Sequence, residues 1–288
     1  MVTDRDLLIL RAVARYYVLN REQVQRLVFP DDNNGRVTRR RLQMLVDAHL
    51  LSRQPMLVTY PANGVPAPVY FPSRTGVELL AEMTGDDRML ATSTQAPSMH
   101  HVWHWLAVSE THIVFDQAIS LQTHAQIVEW FNEYDVVNPL ETVPEMRFRL
   151  YTLLRSGPRL VCAPDAAFLL SVRGHSKVFY LEEDRATSGV QQIAATKTQG
   201  FSVLAEIGGH RRHFAQATVD KFTVLMVAPT ARRRDALRKA IREKPGAHLW
   251  RFASTEDMEP QRLLHDSIWY PCDGEPAPLI KPEVLACP

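Results

Sequence analysis

Apolar residues in the first fifty positions recur at helical spacing. Leu7, Leu10, Val13, Ala14 and Tyr17 follow an approximate capping box of Thr3 with Asp6, which predicts a first helix. Asn20 with Gln23 opens a second, short helix carrying Val24, Leu27 and Val28, and Pro30 stops it. After the turn "DDNNG" a third helix is expected over about 36–50. Its inner face reads Val37, Leu42, Leu45, Val46 and His49. Its outer face reads Arg36, Arg39, Arg40 and Gln43, with Arg41 at the edge. The extended runs "PMLVTY" and "PVYFP" then flank a tip rich in Pro, Asn and Gly at 61–68, and Ser73 caps a further helix through Leu79 and Leu80.

Three helices, a hairpin and a helix make a winged helix-turn-helix. Such a module lays its third helix in the major groove, where exposed Arg and Gln reach base edges and phosphates. Double-stranded DNA is therefore the expected partner, met by Arg36, Arg39, Arg40, Arg41 and Gln43. Taken alone, "RVTRRR" reads equally well as a solvated helix face. Its place on the third helix, ahead of a wing, is what favours DNA.

Periodicity lapses over "GDDRMLATSTQAPS" and resumes in "HHVWHWLAVSETHIVFDQAI", a long helix. His100 and His104 sit one turn apart, but no glutamate completes HExxH. His104 reads as a packed or DNA-facing histidine, and Glu110 as an accessory acid or a solvent-exposed one. "AQIVEWF" reads as a strand. Residues 160–171 and 177–183 are β-rich runs about a turn at Gly174, and a helix follows at about 187–207 with Lys197 its one lysine. A strand at 222–228, a basic helix at 230–242 and a strand at 249–252 give the β-α-β alternation of an α/β sheet. The expected organisation is a winged-helix domain at 1–85, a linker at 86–98, an α/β domain with a mixed central sheet at 99–270, and a Pro-rich tail at 271–288.

Composition narrows the picture little. Of 288 residues, 45% are hydrophobic and 23% charged, ordinary values for a globular chain, and a net charge of +1 confines any nucleic-acid surface to a local patch. Cys162, Cys272 and Cys287 are odd in number and lack metal-ligand spacing, which predicts a reduced, cytoplasmic chain. Arg11 and Arg15 interrupt the first apolar run, and no membrane segment is expected. No phosphate-binding glycine loop is present, which argues against a nucleotide-driven motor.

Acidic residues at the ends of the apolar hairpin carry the candidate chemistry. If the turn centres between Arg173 and Gly174, Asp165 falls opposite Glu182, and Glu182 shares a strand face with Asp184. A register shifted by one would pair Asp165 with Glu183 instead. Carboxylates so close need a counter-cation, and an oxygen-rich cluster suits Mg²⁺ or Mn²⁺. A hydrated strand end paired with Arg185 fits the spacing equally well.

"PDAAFLL" followed by "VFYLEEDRAT" and a helical "TKTQGF" resembles the PD-(D/E)xK nuclease core. More closely, the chain resembles the replication-relaxation family of plasmids and integrative elements, which includes MobC-type relaxases. The similar segments are "HWLAVSE", "APDA", "LEEDRAT", Lys197 and "FTVLMVAPTARRRDALR", in that order. The resemblance implies Asp165 and Glu182 as metal ligands with Asp184 as a third candidate, all counted with Lys197 as catalytic residues. One departure stands out: two residues after Glu182, where the pattern places lysine, this chain has Asp184, so Lys197 is read as a migrated lysine. The function this implies is metal-dependent nicking or processing of plasmid or mobile-element DNA during replication, mobilisation or conjugation. Other mobilisation or replication proteins are expected partners, and a homodimer is an option. The alternative is a non-enzymatic regulator or accessory factor that keeps the nuclease fold as scaffold.

Overall fold

Both capping boxes at the start of the chain form. The Thr3 amide donates to Asp6 Oδ2 (2.7 Å), and Asn20 and Gln23 exchange backbone-to-side-chain bonds of 2.9 and 3.0 Å. They open helices α1 (Asp4–Tyr16) and α2 (Arg21–Val28) of a mixed α/β chain, for which the computed structural model describes residues 2–56 and 66–281. Two units are distinguished, Met1–Ile113 and Val114–Pro288.

In the first unit, strand β1 (Leu19–Asn20) precedes α2, and helix α3 (Arg36–Asp47) follows it. Strands β2 (Leu51–Gln54) and β3 (Val69–Pro72) come next, then helix α4 (Arg74–Thr84). The strands form an antiparallel sheet in the order β1-β3-β2. Ile9, Val13, Leu42, Leu45 and Leu80 meet in the core.

Three expectations shift here. The inner face of α3 holds Thr38 (0% exposed) where Val37 (38%) was expected, because Asp32 accepts from both the Thr38 amide (2.8 Å) and its hydroxyl (2.7 Å). Those two bonds satisfy a polar group that would otherwise be costly to bury. His49 lies beyond the helix end, exposed, at φ 58°. The strand that precedes β3 is Leu51–Gln54; most of "PMLVTY" and of the expected tip falls in 57–65, outside the described residues. Residues 86–98, read as a linker, belong to this unit. They include a 3₁₀ turn at Asp87–Ala91, and Gln95 and Pro97 carbonyls accept from Tyr17 Oη (2.7 Å) and Gln54 Nε2 (3.0 Å).

Helix α5 (Val102–Ser120) contains the boundary between the units. The second unit holds strand β4 (Ala125–Asn132), a short helix α6 (Pro144–Arg147), and strands β5 (Thr152–Ser156), β6 (Arg159–Cys162), β7 (Ala166–Val172) and β8 (His175–Glu183). Helices α7 (Val190–Glu206) and α8 (His210–His213) follow, then β9 (Thr223–Ala228), α9 (Ala231–Ile241), β10 (Trp250–Ser254) and β11 (Tyr270–Pro271). Six strands form one mixed sheet in the order β11-β10-β9-β8-β7-β4. β8, β9 and β10 run parallel, which their helical crossovers α7 and α9 require; β7, β4 and β11 run antiparallel to their neighbours.

The run at 160–171, read as one strand, is two. β6 pairs with β5 in a separate small sheet, and β7 begins only at Ala166. Pro164 supplies the break, since it has no amide proton and holds Ala163 extended. The Pro-rich stretch read as a tail is packed as far as Ile280, whose amide donates to Leu264 O (2.9 Å). Cys272 and Ile280 are both buried. Among the described residues no helix is long and apolar enough to cross a membrane.

Candidate functional site

The β7–β8 hairpin turns on Arg173 (φ 50°) and Gly174 (φ 81°), the two positive-φ residues that a tight two-residue loop needs. Pairing runs from Val172↔His175 to Ala166↔Leu181, so the next opposed pair is Asp165 and Glu182. The alternative register with Glu183 is not adopted. Asp165 is held at this point from several sides. Its amide donates to Leu181 O (3.2 Å), its Oδ2 accepts from the Glu183 amide (2.7 Å), and its carbonyl accepts from the Glu133 amide (2.9 Å).

Side-chain alternation puts Ala167, Leu169, Val178 and Tyr180 on one sheet face, under Ala194, Phe201 and Leu204 of α7. Asp165 and Glu182 continue that face at its polar end, 8% and 3% exposed. α7 delivers Lys197 there: its Nζ lies 2.6 Å from Glu182 Oε2, 3.7 Å from Asp165 Oδ1 and 3.4 Å from Ala163 O. Burial works to lower the Lys197 pKa, but Glu182 and Asp165 outweigh it and hold the ammonium charged. Cys162 lies in the same field. Burial and then Glu182 push its thiol up, so it has no nucleophilic character.

Gly200, one turn along α7 from Lys197, permits this approach. A Cβ there would stand 2.9 Å from Val161 O and 3.5 Å from Cys162 Cα. The helix therefore rides against the backbone of β6, and that contact sets how far Lys197 must reach.

Asp184 is engaged elsewhere. Arg233 Nε and Nη2 bind its two oxygens at 2.6 and 3.1 Å, Nη2 also donates to Ser188 O (2.6 Å), and the Ala186 amide donates to Asp184 Oδ1 (3.0 Å). Arg233 had no sequence signature of its own within "ARRRDALR". Only the cap at Thr230, whose Oγ1 accepts from the Arg233 amide, fixes which arginine turns toward the strand end. Its neighbours are also tied inward. Arg234 reaches Asp235 (3.0 Å) and Asp257 (3.2 Å) and lies over the Tyr270 ring, while Arg238 donates to Pro271 O. The basic helix thus pins the β10–β11 edge.

Tyr180, the tyrosine nearest the acids in sequence, is 0% exposed and shares a 2.7 Å bond with His213 Nδ1. His213 Nε2 in turn meets Thr152 Oγ1 at 2.9 Å. Burial holds His213 down to about 4, so this network is neutral.

In the first unit, Arg36, Arg39, Arg40 and Gln43 stand exposed along α3, with Gln43 Nε2 bonded to Asp47 (2.7 Å). Arg41 turns inward: its Nε donates to Asp6 Oδ1 (2.8 Å), and its Nη2 donates to Asp6 Oδ2 and to Thr3 Oγ1 (3.0 Å). Glu110 is bound by Arg26 (2.6 Å) and by Gln23 Nε2 (3.0 Å), which ties the middle of α5 to α2. His104 is half-buried on the same helix.

The donor set just before β7 and on β8 is hard and anionic. Two buried carboxylates, Asp165 at the residue preceding β7 and Glu182 on β8, fit the oxygen coordination of Mg²⁺ or Mn²⁺. No curated protein and no solved structure matches the chain. A family model described as replication-relaxation matches residues 10–219, well over half of the sequence, and on that match the chain belongs to the replication-relaxation family.

Proposed function

We propose that this protein binds duplex DNA of a mobile element through a winged helix in its first unit and nicks it with a PD-(D/E)xK-like centre in its second. The observation that carries the reading is the meeting of Asp165, Glu182 and Lys197: the two carboxylates, from just before β7 and from β8, lie within 3.7 Å of the Lys197 ammonium on α7. Family membership supports a role in plasmid or mobile-element replication or relaxation.

In this reading Asp165 and Glu182 hold a divalent ion, which when bound supplies Lewis-acid stabilisation of charge at a phosphate. Lys197, kept charged by the two acids, offsets negative charge that develops on the reacting phosphoryl oxygens. Asp184, clamped by Arg233, serves as an anchor for α9. Arg36, Arg39, Arg40 and Gln43 meet the DNA, with Arg41 supporting α3 from behind. The chain would act in the cytoplasm, where its DNA resides.

A second reading draws on the same ion pairs. Lys197 and Arg233 already compensate Glu182 and Asp184, so the acids can be stable without any metal, as in a DNA-binding regulator that keeps the fold as scaffold. Incubation of supercoiled plasmid with Mg²⁺ separates the two. Nicking by wild type and its loss in Asp165→Asn/Glu182→Gln support the first reading; intact plasmid with both proteins supports the second.

A further inference from the structure

A cavity of about 480 Å³ opens where the α9–β10 loop meets the segment after β11. Lys244, His248 and Arg251 line it together with Cys272 and a single acid, Asp273. That acid is committed, since Arg242 Nε lies 2.7 Å from its carboxylate. Among the described residues neither Lys244 nor Arg251 pairs with a carboxylate; Arg251 spends its Nη1 on the carbonyls of His248 (3.2 Å) and Trp250 (2.7 Å).

The sheet adds more positive charge at the same place. Trp250 and Phe252 belong to the core face shared with Tyr180, so Arg251 between them projects to the opposite face. Lys177 lies on that face too, on β8 beside Phe179, with its Nζ 5.3 Å from the ring centroid. Burial, Arg251 and Lys281 together pull the Lys177 pKa down, and burial lowers that of Arg251. With Asp273 paired to Arg242, these cations repel one another, an arrangement that a bound anion stabilises.

We propose that this cavity is a phosphate-binding site, in which Lys244 and Arg251 contact the anion and Lys177 and Lys281 supply the surrounding field. Its lining includes neither Asp165 nor Glu182, and it depends on neither metal nor nicking. The phosphate can come from the DNA backbone or from solution as a free ion, and the two sources are separable.

The test uses the full chain and two probes: inorganic phosphate against chloride at matched ionic strength, and a duplex oligonucleotide. Phosphate should raise the melting temperature of wild type. Lys244→Gln, whose side chain holds no other element, should weaken phosphate binding about tenfold, as removal of one charge-assisted bond would. Arg251→Gln should do the same where it folds. If the source is the DNA backbone, phosphate also competes with the duplex and Lys244→Gln lowers duplex affinity. If the source is free phosphate, duplex affinity is unchanged. Wild type and Lys244→Gln responding alike to both probes would overturn the site.

Discussion

Gly200 of α7 lies so close to Val161 of β6 that a Cβ on the glycine would stand 2.9 Å from the Val161 carbonyl oxygen. A helix-interior glycine costs about 1 kcal/mol against alanine in propensity, so Gly200→Ala should stabilise α7 if nothing opposed it. The contact is to backbone, which cannot rotate away, and α7 must shift instead. We expect Gly200→Ala to be destabilising on balance, by about 1–2 kcal/mol. Denaturant melts measure this; a rise in stability would mean that the helix does not bear on β6.

The exposed arginines of α3 and the inward one should separate cleanly. Arg36→Ala with Arg40→Ala leaves stability unchanged and flattens the salt dependence of duplex binding, by roughly 0.9 in log–log slope for each phosphate deprived of its arginine. Arg41→Ala should instead destabilise the first unit by roughly 1–3 kcal/mol, because Asp6, 1% exposed, loses its partner. Binding titrations at several salt concentrations, beside thermal melts of each variant, check both. An unchanged slope in the double variant removes α3 from the DNA interface.

Asp135 predicts a pH dependence. Burial raises its pKa to about 6 against the opposing pull of the Asn132 amide, which donates to Oδ2 at 2.8 Å, and of Arg149. The folded chain therefore holds this proton more tightly than the unfolded one. The group's contribution to stability is complete below the unfolded value of 3.8 and is lost as pH rises through about 6. Asp135→Asn keeps the acceptor and removes the titration. It should be more stable than wild type by roughly 1–3 kcal/mol at pH 8 and equal to it near pH 4. Parallel stability curves at the two pH values would contradict the shift.

Local rules made the N-terminal helices and the hairpin legible in the sequence. Thr3–Asp6, Asn20–Gln23 and Ser73 cap where periodicity places them, and of the two registers the sequence allowed, the turn at Arg173–Gly174 adopts the one that opposes Asp165 to Glu182. What escaped was decided by distant partners. Thr38 displaced Val37 from the α3 interior because Asp32 was there to bind it, and Arg41 turned inward to Asp6 across 35 residues. Asp184 shares a strand direction with Glu182, yet Arg233 from 49 residues away claims it. Pro164 was visible as a strand breaker, but the second sheet that takes up β6 was not.

The central claim is that Asp165 and Glu182 share a divalent ion, and diffraction from Mn²⁺-soaked crystals tests it most directly. The account predicts an anomalous peak about 2.0–2.3 Å from an oxygen of each carboxylate, with Lys197 Nζ drawn back from its 2.6 Å contact with Glu182. In Asp165→Asn/Glu182→Gln the peak should be gone and the fold retained. No peak in wild type, with Lys197 still seated on Glu182, would contradict the claim and leave the hairpin as scaffold.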